Sequence, residues 1–335
     1  MLNVFQKALI GNNRCFFYAI RCNRFREIAD QLVGKRDLER LINRRIDFMA
    51  YLIALIPALG WGFMPIITGK IGGSSANQIF GIGAGASIIG ILAFLVMHPH
   101  VSATAFIFSL VCGALWSTGQ VGQFESFKRM GVSKTIPLST VFQLVGNSII
   151  GALFLGQWAG AHALMIGFFA LLIVVIGALL TSISDEAGGS QKVTVFNFLF
   201  LLVTTIGYWV YSTFPSLPQV KNEDPIGVFL PEMLGILIGA AIYSTIVTKG
   251  ASWKQAENYK NILGGLSWGI AAFAYIFAAR KLGSNTAFIF TQLNVIIATF
   301  GGILLLHEHK SAKEMKFTIG GIALIVIGSI CTIFA

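Results

Sequence analysis

The chain has 335 residues, of which 55% are hydrophobic and only 11% charged, with a formal net charge of +10. An ordinary soluble domain carries roughly 25% charged residues, and so few could not cover the surface of a water-soluble protein of this length; the composition is that of a polytopic membrane protein. Hydrophobicity excludes disorder, and four cysteines are too few for a disulfide-stapled scaffold. The basic excess is read as cytoplasmic loop marking, not as a nucleic-acid footprint.

Residues 1–48 differ from the rest. They hold ten of the 24 Lys/Arg and five of the 14 Asp/Glu. Arg14, Arg21, Arg24, Arg26, Arg36, Arg40, Arg44 and Arg45 interrupt every apolar run long enough to span. Two readings stay open: a cytoplasmic or interfacial helix, or a non-native extension in front of a start at Met49, which their charge density favours. Cys15 and Cys22 lie here and Cys112 and Cys331 in apolar spans, a spread that suggests neither disulfide nor metal cluster.

A bilayer core of ~30 Å needs ~20 apolar residues of helix. The chain offers ten such runs, near 50–68, 77–97, 103–126, 134–155, 162–183, 195–214, 227–248, 261–279, 284–306 and 317–335. Turn residues punctuate them at Gly72-Gly73-Ser74, His98-Pro99-His100, Gly188-Gly189-Ser190 and Asn222-Glu223-Asp224-Pro225. Pro57 and Pro65 around Gly60 and Gly62 in span 1, and Gly207 and Pro215 in span 6, mark these two as candidate gating helices.

The two halves repeat at a nearly constant offset. Gly81-Ile82, Gly85-Ala86 and Ile88 of span 2 match Gly235-Ile236, Gly239-Ala240 and Ile242 of span 7, 154 residues on. Gly113 and Trp116 of span 3 match Gly265 and Trp268 of span 8, at an offset of 152. Val175-Ile176-Gly177 and Thr181 of span 5 match Val326-Ile327-Gly328 and Thr332 of span 10, and Gly60-Trp61 matches Gly207-Tyr208. Five spans per repeat is odd, so the second must enter the membrane inverted. The expected fold is an all-α membrane protein of ten transmembrane helices in two inverted five-helix repeats, 49–184 and 195–335, joined by a linker at 185–194. Inverted repeats of this kind mark secondary transporters with a site near the midplane. Loops after odd-numbered spans carry eleven Lys/Arg and those after even-numbered spans three, which places the odd loops in the cytoplasm. The ten basic residues of 1–48 argue the reverse.

Polar side chains within the spans are mostly amides, with aromatics among them. Amides offer donors and acceptors to hydroxyl groups, and aromatic faces cover the apolar face of a sugar ring. The candidate substrate-binding residues are therefore Trp61, Gln78, Trp116, Gln120, Gln143, Tyr208, Trp268 and Gln292. The competing role for such amides is interhelical hydrogen bonding, and for such aromatics a belt at the membrane surface. Trp116 and Trp268 sit at equivalent, non-terminal places in the repeat, where a belt role is less natural. Glu232 is the carboxylate within a span best placed for proton coupling; an interfacial carboxylate is the alternative. Glu125 near Lys128 and Arg129 reads as an interfacial ion pair, and His307-Glu308-His309 as a loop without zinc-motif spacing. No nucleotide loop or catalytic triad pattern is present, so neither an ATP-driven pump nor an enzyme is supported, and no cofactor or metal is implied. Basic residues occur only at span ends, which argues against a phosphorylated substrate.

Pro57-Ala58-Leu59-Gly60-Trp61-Gly62, Gly69-Lys70-Ile71-Gly72-Gly73, Gly113-Ala114-Leu115-Trp116 with Gly119-Gln120, Gly131-Val132-Ser133 with Pro137 through Gln143-Leu144, Gly207-Tyr208-Trp209 with Tyr211-Ser212, and His309-Lys310 with Lys313-Glu314-Met315 resemble the glucose/ribose uptake family of the drug/metabolite transporter superfamily. The likeness runs from about 50 to 335 and looks closest to members described as ribose uptake proteins. It implies proton-coupled uptake of a small neutral sugar, ribose or glucose, across a bacterial plasma membrane. A metabolite or drug exporter of the same superfamily, or a non-transporting membrane subunit, are the alternatives.

Overall fold

The computed structural model describes residues 35–154, 158, 160–184, 192–282, 287 and 290–334, with the backbone alone over 35–48 and at 333. Among the described residues, ten apolar helices follow one another. They are α1 (Lys35–Ile71, apolar over Met49–Ile71), α2 (Ser75–Met97), α3 (Ala103–Met130), α4 (Val132–Phe154), α5 (Ala161–Thr181), α6 (Val195–Ser216), α7 (Pro225–Thr248), α8 (Ala256–Leu282), α9 (Leu293–Leu305) and α10 (Ala312–Cys331). Nine are long and apolar enough to cross a membrane, and α9 is a shorter apolar helix among the described residues. In lipid each backbone N–H and C=O must find its partner within the segment, which is why the apolar runs are helical over their described residues.

The predicted spans agree with the helices to within a few residues at most ends. Helices α1, α8 and α10 are exceptions, beginning at Lys35, Ala256 and Ala312 rather than 50, 261 and 317. The Ser311 hydroxyl accepts from the Glu314 N–H at 3.2 Å and the Glu314 carboxylate accepts from the Ser311 N–H at 2.8 Å, a capping box that draws Lys313, Glu314 and Lys316 into the helix. Residues 1–34, the turn at 188–190, most of the 185–194 linker and the start of the ninth predicted span lie outside the described residues. The two predicted gating helices differ from each other. Helix α1 runs unbroken through Pro57 and Pro65. Helix α6 divides at Thr205 into Val195–Thr204 and Ile206–Thr213, then tightens into a 3₁₀ turn, Phe214–Ser216, around Pro215.

Eight helices form a closed ring through their contacts, in the order α1–α8–α2–α7–α3–α6–α4–α9 and back to α1. The α5–α10 pair stands outside it, chiefly behind α4. Glycine sets the tightest seams. A Cβ added at Gly265 of α8 would lie 2.9 Å from the Gly85 Cα of α2, and one at Gly113 of α3 would collide with the Glu232 carbonyl of α7. Such contacts hold helices by packing where lipid supplies no hydrophobic drive.

Linkers that follow odd-numbered helices meet at one face. The Asn261 amide donates to the Gly72 carbonyl, the Asn77 amide to Gln255, and the Val132 and Ser133 N–H groups to Glu308. This is the lysine-rich face. At the opposite face, Gly227 lies against the His100 carbonyl and Arg280 pairs with Asp224.

Candidate functional site

The inside of the ring is aromatic. Trp116 of α3, Tyr208 of α6 and Trp268 of α8 are buried together, with Trp61 of α1 and Tyr211 of α6 packed against them. The Trp116 ring lies 4.6 Å from Trp268, 5.6 Å from Tyr208 and 6.2 Å from Tyr211, centroid to centroid. The offset of 152 that pairs Trp116 with Trp268 in the sequence thus corresponds to ring contact in space. A flat ligand between two ring faces needs them ~7 Å apart, two contacts of ~3.5 Å each. The pair is closed on itself in this conformation.

A hydrogen-bonded chain leads from this cluster toward the lysine-rich face. The Tyr208 hydroxyl donates to Gln120 at 2.9 Å, the Gln120 amide to Gln123 at 3.1 Å, and the Gln123 amide to the Ser139 hydroxyl at 2.8 Å. The Gln143 amide also donates to Ser139, at 3.2 Å. On the other side of the cluster, Tyr211 donates to the Glu232 carboxylate at 3.0 Å, and Glu232 is buried. The aromatic cluster therefore lies between a carboxylate and a row of amides.

Trp61 completes the aromatic wall. Its ring stands 5.9 Å from Tyr275, and its buried Nε1 donor has no hydrogen-bond partner. An orphaned buried donor is costly, which makes it a place for an incoming acceptor.

Of the eight residues read from the sequence as substrate-binding, the structure brings Trp61, Trp116, Tyr208, Trp268 and Gln120 together and ties Gln143 to them through Ser139. It places two elsewhere. Gln78 donates to the Thr68 carbonyl at 3.2 Å near the lysine-rich end of α1, its Oε1 buried without a partner. Gln292 bonds Thr291 and accepts from Ser329 of α10 at 3.5 Å, on the seam between α9 and α10.

Sequence reasoning passed over a second polar cluster, at the lysine-rich face. Lys134 and Glu314 pair at 3.5 Å with their side chains 2% and 0% exposed. Glu308 accepts from the Val132 N–H at 2.5 Å and the Ser133 N–H at 2.8 Å, capping the start of α4 from 176 residues away in the chain. Lys134 also donates to Ser184, and Lys310 to Thr318. Burial, with the neighbouring Lys134 ammonium, pulls the Lys310 pKa down to about 8. The Ser311-x-x-Glu314 capping spacing was the one local signal available. Glu125 forms the exposed pair with Lys128, at 3.2 Å, and accepts a further bond from Ser75.

Residues 52–335 match the family described as Sugar transport protein. A relative from Lactobacillus helveticus described as "Putative sugar uptake protein" is 44% identical over 282 residues, covering 84% of this chain and 99% of its own. A relative from Latilactobacillus sakei described as "Putative ribose uptake protein RbsU" is 39% identical over 289 residues, covering 84% and 97%. A solved crystal structure at 16% identity superposes with a TM-score of 0.56 over 85% of this chain and 98% of that one, a likeness of fold alone. The multi-pass helical architecture, the match over nearly the whole apolar region and identities this high over nearly the full length of the relatives have one meaning: the chain belongs to the Sugar transport protein family.

Proposed function

We propose that this chain is a secondary transporter that imports a neutral monosaccharide, ribose or glucose, across a bacterial plasma membrane. The observation that carries the reading is the orphaned Trp61 donor in an aromatic wall whose Tyr208 starts the hydrogen-bonded chain through Gln120 and Gln123 to Ser139. Sugar hydroxyls both donate and accept, so a polyol can satisfy Trp61 and insert into the amide chain. A phosphorylated ligand would instead need cations there. Trp116 and Trp268 part to admit the ring, and Trp61, Tyr208, Gln120 and Gln143 bond it; Gln78 and Gln292 act from further out.

Alternating access comes from two inverted repeats, 49–184 and 195–335, joined by 185–194. Helix pairings support this reading. Exchanging each helix with the one five places on turns α1–α8 into α6–α3, α2–α8 into α7–α3 and α1–α9 into α6–α4, and returns α2–α7, α4–α9 and α5–α10 to themselves. Residues 1–48 are an extension dispensable for uptake. The family match beginning at residue 52 supports this. The lysine-rich face is cytoplasmic.

Reconstitution in proteoliposomes tests the assignment. Radiolabelled ribose or glucose should enter saturably and be competed by unlabelled sugar. Folded protein that moves neither sugar would overturn the reading in favour of an exporter or a non-transporting subunit. Proton coupling is assigned to Glu232. Glu232→Gln should abolish accumulation driven by a pH difference while sparing exchange at equal sugar concentrations; retained accumulation would remove Glu232 from that role.

A further inference from the structure

We propose that Asn294 of α9 is a further sugar-binding residue, which with Trp61 of α1 reads a single hydroxyl of the substrate. The hydroxyl accepts from the indole N–H and donates to the Asn294 Oδ1. This rests on the reading of the chain as a sugar carrier. Both protein atoms are buried and neither has a hydrogen-bond partner, so they do not bond each other. They stand on adjacent helices of the ring. On α1, Trp61 lies between Gly60, which meets the Ser267 carbonyl of α8, and Gly62, which meets Ile297 of α9. The indole thus points between these two neighbours, and it packs on the aromatic core. On α9, at ~100° per residue, Asn294 falls between Ile297, which faces α1, and Ala298, which packs with Val132 and Ile136 of α4. Gln292, which meets Ser329 of α10 outside the ring, is ~160° away. Asn294 is therefore on the inward edge of α9. Depth agrees with this. Counted from the lysine-rich ends of their helices at ~1.5 Å per residue, Trp61 and Asn294 lie ~15 and ~17 Å in, level with Gln120 of α3 at ~15 Å and Gln143 of α4 at ~17 Å.

A structural role does not account for Asn294. An amide that ties membrane helices together bonds across the seam, as Gln120 joins Tyr208 and Asn77 joins Gln255. The Asn294 Oδ1 has no such bond. Leaving a buried acceptor unpaired is costly, and an apolar residue of similar shape avoids the cost. The same holds for the Trp61 donor, which a phenylalanine would lack. An open donor and an open acceptor, on adjoining helices at one depth, match a group that is both at once, and a hydroxyl is that group. A methyl ether accepts without donating, and a deoxy position does neither. Asn147 of α4 is orphaned too, but it lies ~23 Å in, about a turn deeper than the pair. Trp61 and Asn294 thus select a free hydroxyl at one position of the sugar.

Substrate analogues and stability together test the pair. Binding to the protein in detergent is measured for ribose and glucose, and for the monodeoxy and mono-O-methyl forms of each. For the sugar that binds, one deoxy form and the O-methyl form at the same position should bind the wild type about tenfold or more weakly than the parent. Asn294→Leu and Trp61→Phe should each weaken the parent by about tenfold or more and lose most of the preference over that deoxy form. The double variant should be little weaker than either single one, since both side chains act on one hydroxyl. Without sugar, Asn294→Leu should not lower the apparent melting temperature, because it removes a group that has no partner. Asn294→Ala is scored for binding in the same way should the leucine variant fail to fold. Unchanged affinity in the Asn294 variants would overturn the assignment, and fully additive losses in the double variant would overturn the shared hydroxyl. A wild type that binds neither ribose nor glucose would overturn the sugar reading instead. In that case a lowered melting temperature in Asn294→Leu overturns the site as well, and an undiminished one retains the pair as a site for another hydroxylated ligand.

Discussion

The two ends of the helix ring handle charge in opposite ways. At the lysine-rich end, Lys134 and Glu314 are almost wholly buried, and Glu308 is committed to the α4 backbone. At the other end, Arg280 and Asp224 pair with side chains 36% and 47% exposed. An exposed pair competes with water and salt and contributes little; a buried one is costly to form and far more costly to leave half-made. The difference teaches that the number of ion pairs at a membrane face says little about its firmness. Access to water decides it.

The sharpest way to break the contrast is to strand one buried charge. Lys134→Met takes from Glu314 its buried ion-pair partner and should cost about 3–5 kcal/mol, read as a large fall in apparent melting temperature in detergent. The double variant Lys134→Met/Glu314→Gln should be less damaging than Lys134→Met alone, because the stranded carboxylate is gone while the amide still accepts from the Ser311 N–H. A double variant worse than the single would show that the pair stabilises the fold outright. Glu308→Ala comes next. It removes the acceptor from two N–H groups at the start of α4 and should cost about 1–3 kcal/mol, with hydrogen exchange at Val132 and Ser133 accelerated.

At the exposed end the effects shrink and separate. Arg280→Met should cost less than about 1 kcal/mol. Asp224→Ala should cost about 1 kcal/mol more than that, because Asp224 also accepts from the Ile226 N–H at 2.8 Å and caps α7. Equal losses in the two variants would place the value of Asp224 in its ion pair rather than its cap.

A pH dependence is expected at the lysine-rich end. Lys310 faces Lys134 of α4, Glu314 of α10 and Glu308 of its own linker, with Thr318 accepting its bond. Its pKa falls from 10.5 to about 8 on folding. Below about 8 the ammonium is charged in both states and its burial cost is present in full. Between about 8 and 10.5 the folded protein releases a proton that the unfolded chain retains, so stability rises with pH across that window. The apparent melting temperature of the wild type should carry this upward component between pH 7.5 and 10, and Lys310→Met should lack it.

Sequence alone determined the helices, because each run had to be apolar for ~20 residues and bond its backbone internally. It also pointed to Trp116 and Trp268 as a pair, each closing a Gly-x-x-Trp segment 152 residues apart, and their rings meet at 4.6 Å. Where a helix began among charges, as at α10, hydropathy placed its start late and the Ser311–Glu314 capping box corrected it. What only the tertiary structure decided is who meets whom across the chain. Gln78 and Gln292 share the amide chemistry of Gln120, yet only Gln120 reaches Tyr208. Glu308 read as a linker residue beside two histidines, but the fold aims it at a helix start 176 residues earlier. Lys134 counted as one more positive charge beside the membrane, and packing of α4 against its neighbours enclosed it with Glu314. The physical reason is the same in each case. Hydropathy and capping are local properties that a window of sequence contains, whereas burial of a polar side chain depends on which distant helix covers it.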